Sequence, residues 1–134
     1  MTRREAREAA TELIFEQEFK KDQDTALTIE NAAEIRQKKY SAFAKKLFCE
    51  AWEKREEIDR KISEASEKWS IDRISRTALA VSRIATYEII YEENIPASVS
   101  INEALELLKH FGDFESVSFA NGLLGKIASA IEEK

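Results

Sequence analysis

The chain has 134 residues, the usual size of one domain that can bury a hydrophobic core without cross-links. Three glycines and one proline leave little material for the tight turns of a sheet, and a single cysteine excludes an internal disulfide framework. A net charge of -5 argues against non-specific nucleic-acid binding, which depends on Lys and Arg displacing counterions, so any RNA binding must be local.

Thr2-Arg3-Arg4-Glu5 fits a capping box and predicts a helix from there to about Phe19, with Ala6, Ala9, Ala10, Leu13, Ile14 and Phe15 roughly at the 3.6-residue period. Lys20 to Thr25 read as a polar connection to a short helix over 26–36. From Lys38 to Trp69 apolar residues such as Tyr40, Phe43, Leu47, Ala51, Ile58 and Ile62 recur at helical spacing with no Gly or Pro between them, which predicts one long helix or two nearly continuous ones. Asp72 is a cap for the next helix, whose Ile74, Ala78, Val81, Ile84, Ala85 and Ile89 mark it as the core helix and which Asn94-Ile95-Pro96 ends. Ser100-Ile101-Asn102-Glu103 reads as a second capping box, opening a helix through Leu105 and Leu108 to Phe111, where Gly112 suits a left-handed cap. Asp113 then caps a last helix through Ile131, and the tail Glu132-Glu133 reads as solvated. The expected fold is all-α, a compact helical bundle of about six or seven helices forming a single domain over 1–134. The N-terminus carries no apolar stretch for a signal peptide or anchor, which places the protein in a reducing cytoplasm, away from membranes.

Catalysis needs converging residues, and one His, one Cys and no metal-ligand spacing argue against an enzyme; neither a metal nor a cofactor is expected. His110 reads as a helix C-terminal residue in solvent and Cys49 as a small buried hydrophobe. Arg3, Arg4 and Arg7 are more informative, because positive charge in the first helical turn opposes the macrodipole and so needs another reason to be there. Spacing leaves two readings open: a cluster gripping RNA, or an ordinary solvated terminus neutralised by Glu5 and Glu8. The basic run Arg36, Lys38, Lys39, Lys45 and Lys46 could extend such a surface, although a solvated helix face is the simpler account. Phe111, Phe114 and Phe119 flank Gly112, where an exposed ring could stack on a base or anchor a partner; core packing is the reading for Phe111. Gly122 and Gly125 share a helix face next to Asn121, which predicts a close approach by another helix or a ligand backbone.

Ser82-Arg83-Ile84-Ala85-Thr86-Tyr87-Glu88-Ile89, Ile95-Pro96, Ile101-Asn102-Glu103-Ala104, Lys109, Phe111-Gly112 and Phe119-Ala120-Asn121-Gly122-Leu123-Leu124 together resemble, in order and spacing, the NusB family of bacterial transcription antitermination factors. With Trp69 to Arg73 and the Arg3-Arg4-x-x-Arg7 start, the likeness spans the chain, residues 20–66 matching in helical character alone. The resemblance implies two small helical subdomains packed together, and a protein that pairs with NusE, a small-subunit ribosomal protein, to recognise boxA RNA. It implies loading onto RNA polymerase in an antitermination complex during ribosomal RNA synthesis.

Carried over to this chain, the resemblance makes Arg3, Arg4, Arg7, Ser118 and Phe119 RNA-binding residues, and Phe15, Phe19 and Glu115 partner-binding residues. Asn102 and Asn121 are taken as structural. The arginine cluster is thinner than in the most basic members, and Phe15 stands where a tyrosine is common. A related RNA-binding domain occurs in ribosomal RNA cytosine methyltransferases, but this chain stops at Lys134 without the methyl-donor domain. The rival from another class is a helical protein-binding adaptor whose arginines are incidental. Homodimer formation is compatible with either, since an apolar surface kept for NusE can pair with itself.

Overall fold

The computed structural model describes residues 1–66 and 70–132. Its helices are α1 (Arg3–Glu18), α2 (Thr25–Arg36), α3 (Ala42–Glu53), α4 (Arg55–Ala65), α5 (Arg76–Tyr91), α6 (Ala97–His110) and α7 (Val117–Glu132). Short 3-10 turns at Ile71–Arg73 and Phe114–Ser116 precede α5 and α7, and there is no strand among the described residues. The all-α bundle expected from composition is what forms. Trp69, the expected end of the long helix, and Glu133 of the acidic tail lie outside the described residues.

Helix α5 is the axis. Its residues from Ala78 to Glu88 are buried, apart from the half-buried Leu79, and it packs against α1, α3, α4, α6 and α7. Helix α1 packs on α2, α3 and α5, whereas α4, α6 and α7 close around the other side of α5. Leu13, Ile14, Leu47, Phe48, Ile58, Ile62, Ile84, Leu108 and Leu124 meet in one continuous core at or near complete burial. Cys49 and Phe111 pack against this core from its edge.

Local chemistry sets the helix ends. The capping box at α1 forms in full: Thr2 Oγ1 accepts from Glu5 N at 3.1 Å and Thr2 N donates to Glu5 Oε1 at 2.8 Å. Gln37 closes α2 in the left-handed region at φ 49°, with Lys38 N donating to Ala33 O. The stretch from Lys38 is the two nearly continuous helices of the second reading, and it starts later than Lys38, because Ser41 caps α3 by accepting from Ala44 N. Lys54 alone separates α3 from α4.

Three capping expectations are corrected. Helix α5 is capped by Ser75, which accepts from Ala78 N at 3.0 Å, while Asp72 sits in the preceding 3-10 turn. Helix α6 begins at Ala97, with Pro96 at the capping position, where its missing N–H is no loss. Ser100 is therefore inside the helix, buried, and its hydroxyl donates to Glu88 at 3.0 Å instead of capping. Asp113 precedes a 3-10 turn, and its carboxylate accepts from the hydroxyls of Ser75 and Ser116 at 2.7 and 2.8 Å. Gly112 does take the left-handed conformation, φ 81°. Among the described residues nothing makes the close approach expected at Gly122 and Gly125: a Cβ added to either would meet nothing within 4 Å.

Candidate nucleic-acid interface

The three N-terminal arginines follow one another on α1 but have different fates. Arg3 is exposed, and its guanidinium lies 3.8 Å from the centroid of the Phe43 ring on α3. Arg4 is exposed too, but its fork is engaged by Glu103 of α6, Nε at 3.1 Å and Nη2 at 2.7 Å. That hydrogen bond, working against the effect of burial, holds the Glu103 carboxyl below its usual range. Arg7 is 6% exposed and bound to Glu88 of α5 by Nε at 2.9 Å and Nη2 at 2.9 Å. Arg7 points inward between Ala6 and Ala10 of the core and is buried, yet it stays beside its neighbours: Nη1 lies 3.7 Å from Glu103, the partner of Arg4, and the guanidinium 5.8 Å from the Phe43 ring under Arg3.

Along its flank α1 meets α6 through side chains: Arg4 with Glu103, Glu8 with His110 at 2.8 Å, and Phe15 with Phe111 across a shared groove that also includes Thr77. The surface therefore runs from the arginines to the C-terminal end of α1, about 22 Å from Arg4 to Phe19 at 1.5 Å per residue. At that end Phe15 and Phe19 contact edge to face at 5.5 Å, and Phe19 is 59% exposed. Arg76 of α5 lies over the Phe19 ring at 4.7 Å. A groove bounded by Phe15, Phe19, Ile71, Ile74 and Arg76 separates α1 from the start of α5.

Ile74 also borders a second, smaller groove with Arg73, Ser75, Glu115 and Phe119. The two grooves share Ile74, with Phe15 and Phe19 lining one and Glu115 and Phe119 the other. Ser118 and Glu115 are exposed and Phe119 is half-buried; the ring that stands clear in this region is Phe114, at 67% exposure. Beneath the aromatic pair, Arg83 joins three helices, donating to Glu18 of α1 at 2.7 Å and to both carboxylate oxygens of Asp59 of α4 at 2.9 Å. Burial opposes the Arg83 charge most strongly, but the two carboxylates together outweigh it and its pKa is raised.

Sequence reasoning did not identify Phe43, Glu103 or Arg76 as site residues. Phe43 falls at a helical spacing that reads as ordinary packing, Glu103 read as half of a capping box, and Arg76 belongs to no motif. Only the fold brings them beside Arg3, Arg4 and Phe19. Among the described residues no group of three His, Cys, Asp or Glu side chains is arranged to hold a metal ion. No helix among them is long and apolar enough to cross a membrane.

A family model described as NusB family matches residues 4–129. The transcription antitermination protein NusB of Clostridium acetobutylicum is 38% identical over 136 residues, covering 100% of both chains. Among solved structures, NusB of T. maritima superposes with a TM-score of 0.80 at 35% identity, covering 96% of this chain and 92% of that one. A crystal structure of the antitermination factors NusB and NusE in complex with dsRNA contains a chain with a TM-score of 0.82 at 25% identity, covering 97% of this chain and 99% of that one.

Proposed function

Because the chain belongs to the NusB family of transcription antitermination proteins, we propose that it binds boxA-type RNA jointly with NusE and carries the pair to RNA polymerase during ribosomal RNA synthesis. The reading is supported most by the placement of two exposed arginines and an exposed aromatic pair at opposite ends of one α1 surface. Arg3 and Arg4 supply phosphate contacts, with Arg7 holding the turn beneath them to α5. Arg3 is the freer of the two, since RNA must displace Glu103 to take both nitrogens of Arg4.

Phe15, Phe19 and Glu115 form the NusE-binding edge, and Ser118 with Phe119 stands where RNA and NusE meet. A desolvated aromatic anchor of this kind commonly carries much of a protein interface. Without NusE the same edge can pair with a second copy. The setting for this work is the bacterial cytoplasm, and the chain contributes binding and no chemistry.

The test is fluorescence anisotropy of a labelled boxA-type RNA, against a scrambled RNA of equal length, with and without NusE over a salt series. Selective binding strengthened by NusE, falling with salt as phosphate contacts require, is the expected result. Equal binding of both RNAs, or none, would leave the adaptor reading in its place.

A further inference from the structure

The basic run of residues 36–46 does not form the helix face that its sequence suggests. Lys38 and Lys39 lie in the irregular connection between α2 and α3, and Lys45 and Lys46 lie on the first turns of α3. Lys38, Lys39 and Lys45 nevertheless border one shallow cavity around Tyr40. All four lysines are exposed. Lys46 reaches Glu92 at 2.9 Å, but Lys38, Lys39 and Lys45 form no ion pair among the described residues.

Helix α3 also carries Phe43, the ring under the Arg3 guanidinium. Arg3 is near enough to Lys46 for their like charges to oppose one another, and Lys38 near enough to Glu5 to favour its charge. The fold thus sets the α2–α3 connection and the first turns of α3 beside the start of α1, with Arg3 on the Phe43 ring, in a chain whose total charge is -5. Glu30 lines the same cavity as Lys38, Lys39 and Lys45, but none of these three lysines is held in an ion pair among the described residues, so an anion can still cover them, and a flexible polyanion fits a strip that turns from one helix end to the next.

We propose that this strip, Arg3 with Lys38, Lys39 and Lys45 alongside the Phe43-bearing turn of α3, is a second RNA track that holds the phosphates of transcript flanking the recognised element. It rests on the RNA-binding reading above and adds to it a place for single-stranded RNA that is held by charge, independent of sequence. Tyr40 and Phe43 are too enclosed by the helices and by Arg3 to act as freely open stacking platforms, so the strip should read length, not bases.

The experiment compares three RNAs with the full chain and NusE: the boxA-type element alone, and the element with about ten uridines added at either its 5′ or its 3′ end. One extension should strengthen binding by about tenfold at low salt, and the variant Lys38→Ala/Lys39→Ala/Lys45→Ala should lose that gain while binding the short RNA as the parent does. Its salt dependence on the extended RNA should flatten by about 2 logarithmic units per decade, at about 0.7 for each single-strand phosphate that the variant leaves unneutralised. The charge-keeping triple arginine variant should retain the gain, and an unchanged melting temperature for all variants excludes misfolding.

If neither extension strengthens parental binding, or the alanine variant keeps the gain, the strip is not an RNA track and the proposal falls. That result is distinct from failure of the functional reading, which would show as no selective binding of the short element by the parent.

Discussion

Replacing Arg7 with alanine separates the buried arginine from its two exposed neighbours. Arg7 and the Glu88 carboxylate, 1% exposed, are joined by three contacts between 2.9 and 3.1 Å, and the hydroxyl of Ser100 is the other donor to Glu88. Removing one partner of a buried pair strands the other charge and costs about 3–5 kcal/mol. For a domain of this size 1 kcal/mol corresponds to about 3–4 °C, so the Tm of Arg7→Ala should fall by about 10–20 °C. Arg3→Ala removes one exposed cation–π pairing and should move stability by about 1 kcal/mol or less. Thermal denaturation followed by circular dichroism gives both numbers, and RNA anisotropy well below either transition shows which substitution acts on binding directly. Adding Glu88→Gln to Arg7→Ala removes the stranded charge and should restore part of the loss. A Tm for Arg7→Ala as close to the parent as that of Arg3→Ala would refute the burial argument and return Arg7 to the exposed cluster.

Other outcomes follow from individual residues. Ser75→Ala removes the α5 cap and a donor to Asp113, and should cost about 1 kcal/mol, read as a shift of the urea midpoint with unchanged slope. Gly122→Ala and Gly125→Ala put a methyl group into open space on α7 and should each stabilise by about 0.5–1 kcal/mol; weakened RNA or NusE binding despite that gain would assign the glycine face to a partner's approach. Burial first, and the Glu57 carboxylate accepting its hydroxyl proton second, push Tyr91 up to about 12. The unfolded chain then loses this proton first, so the Tyr91 contribution to stability is intact below pH about 10 and disappears as pH rises towards about 12. A Tyr91→Phe variant should show a smaller loss of Tm across that window.

Helix content and the core were legible because they depend on spacing. The apolar positions of α5 and the absence of Gly and Pro decided them, and Thr2 and Gly112 behaved as local chemistry dictates. Ser75 and Ser41 were missed because several polar residues near each start could cap, and choosing among them depends on where the chain enters the bundle. Ser100 shows the same limit from the other side. Its pattern matches a capping box, but Pro96 can start the helix earlier, and the buried Glu88 carboxylate supplies a stronger use for the hydroxyl. In the arginine cluster, residue type suggested anion binding at all three positions. The partner that buries Arg7 lies 81 positions away, beyond the reach of any local pattern. Phe43 and Arg76 were hidden for the same reason, since a ring at helical spacing, or a guanidinium in no motif, looks alike whether it meets the core or an exposed neighbour.

The pairing of Arg7 with Glu88 and of Arg4 with Glu103 has a consequence for how the protein is made. Helix α1 leaves the ribosome before α5 and α6, so its charged inner residue stays unmatched until α5 has emerged, and Arg4 until α6 has followed. A nascent chain cut short before residue 88 would present α1 as a loose amphipathic segment, without the scaffold that orients its arginines. Domains fold as units during synthesis, and here the pairs that orient the α1 arginines join segments 81 and 99 positions apart. The arrangement of Arg4 and Arg7 on α1 is therefore fixed only once α6 has joined the fold.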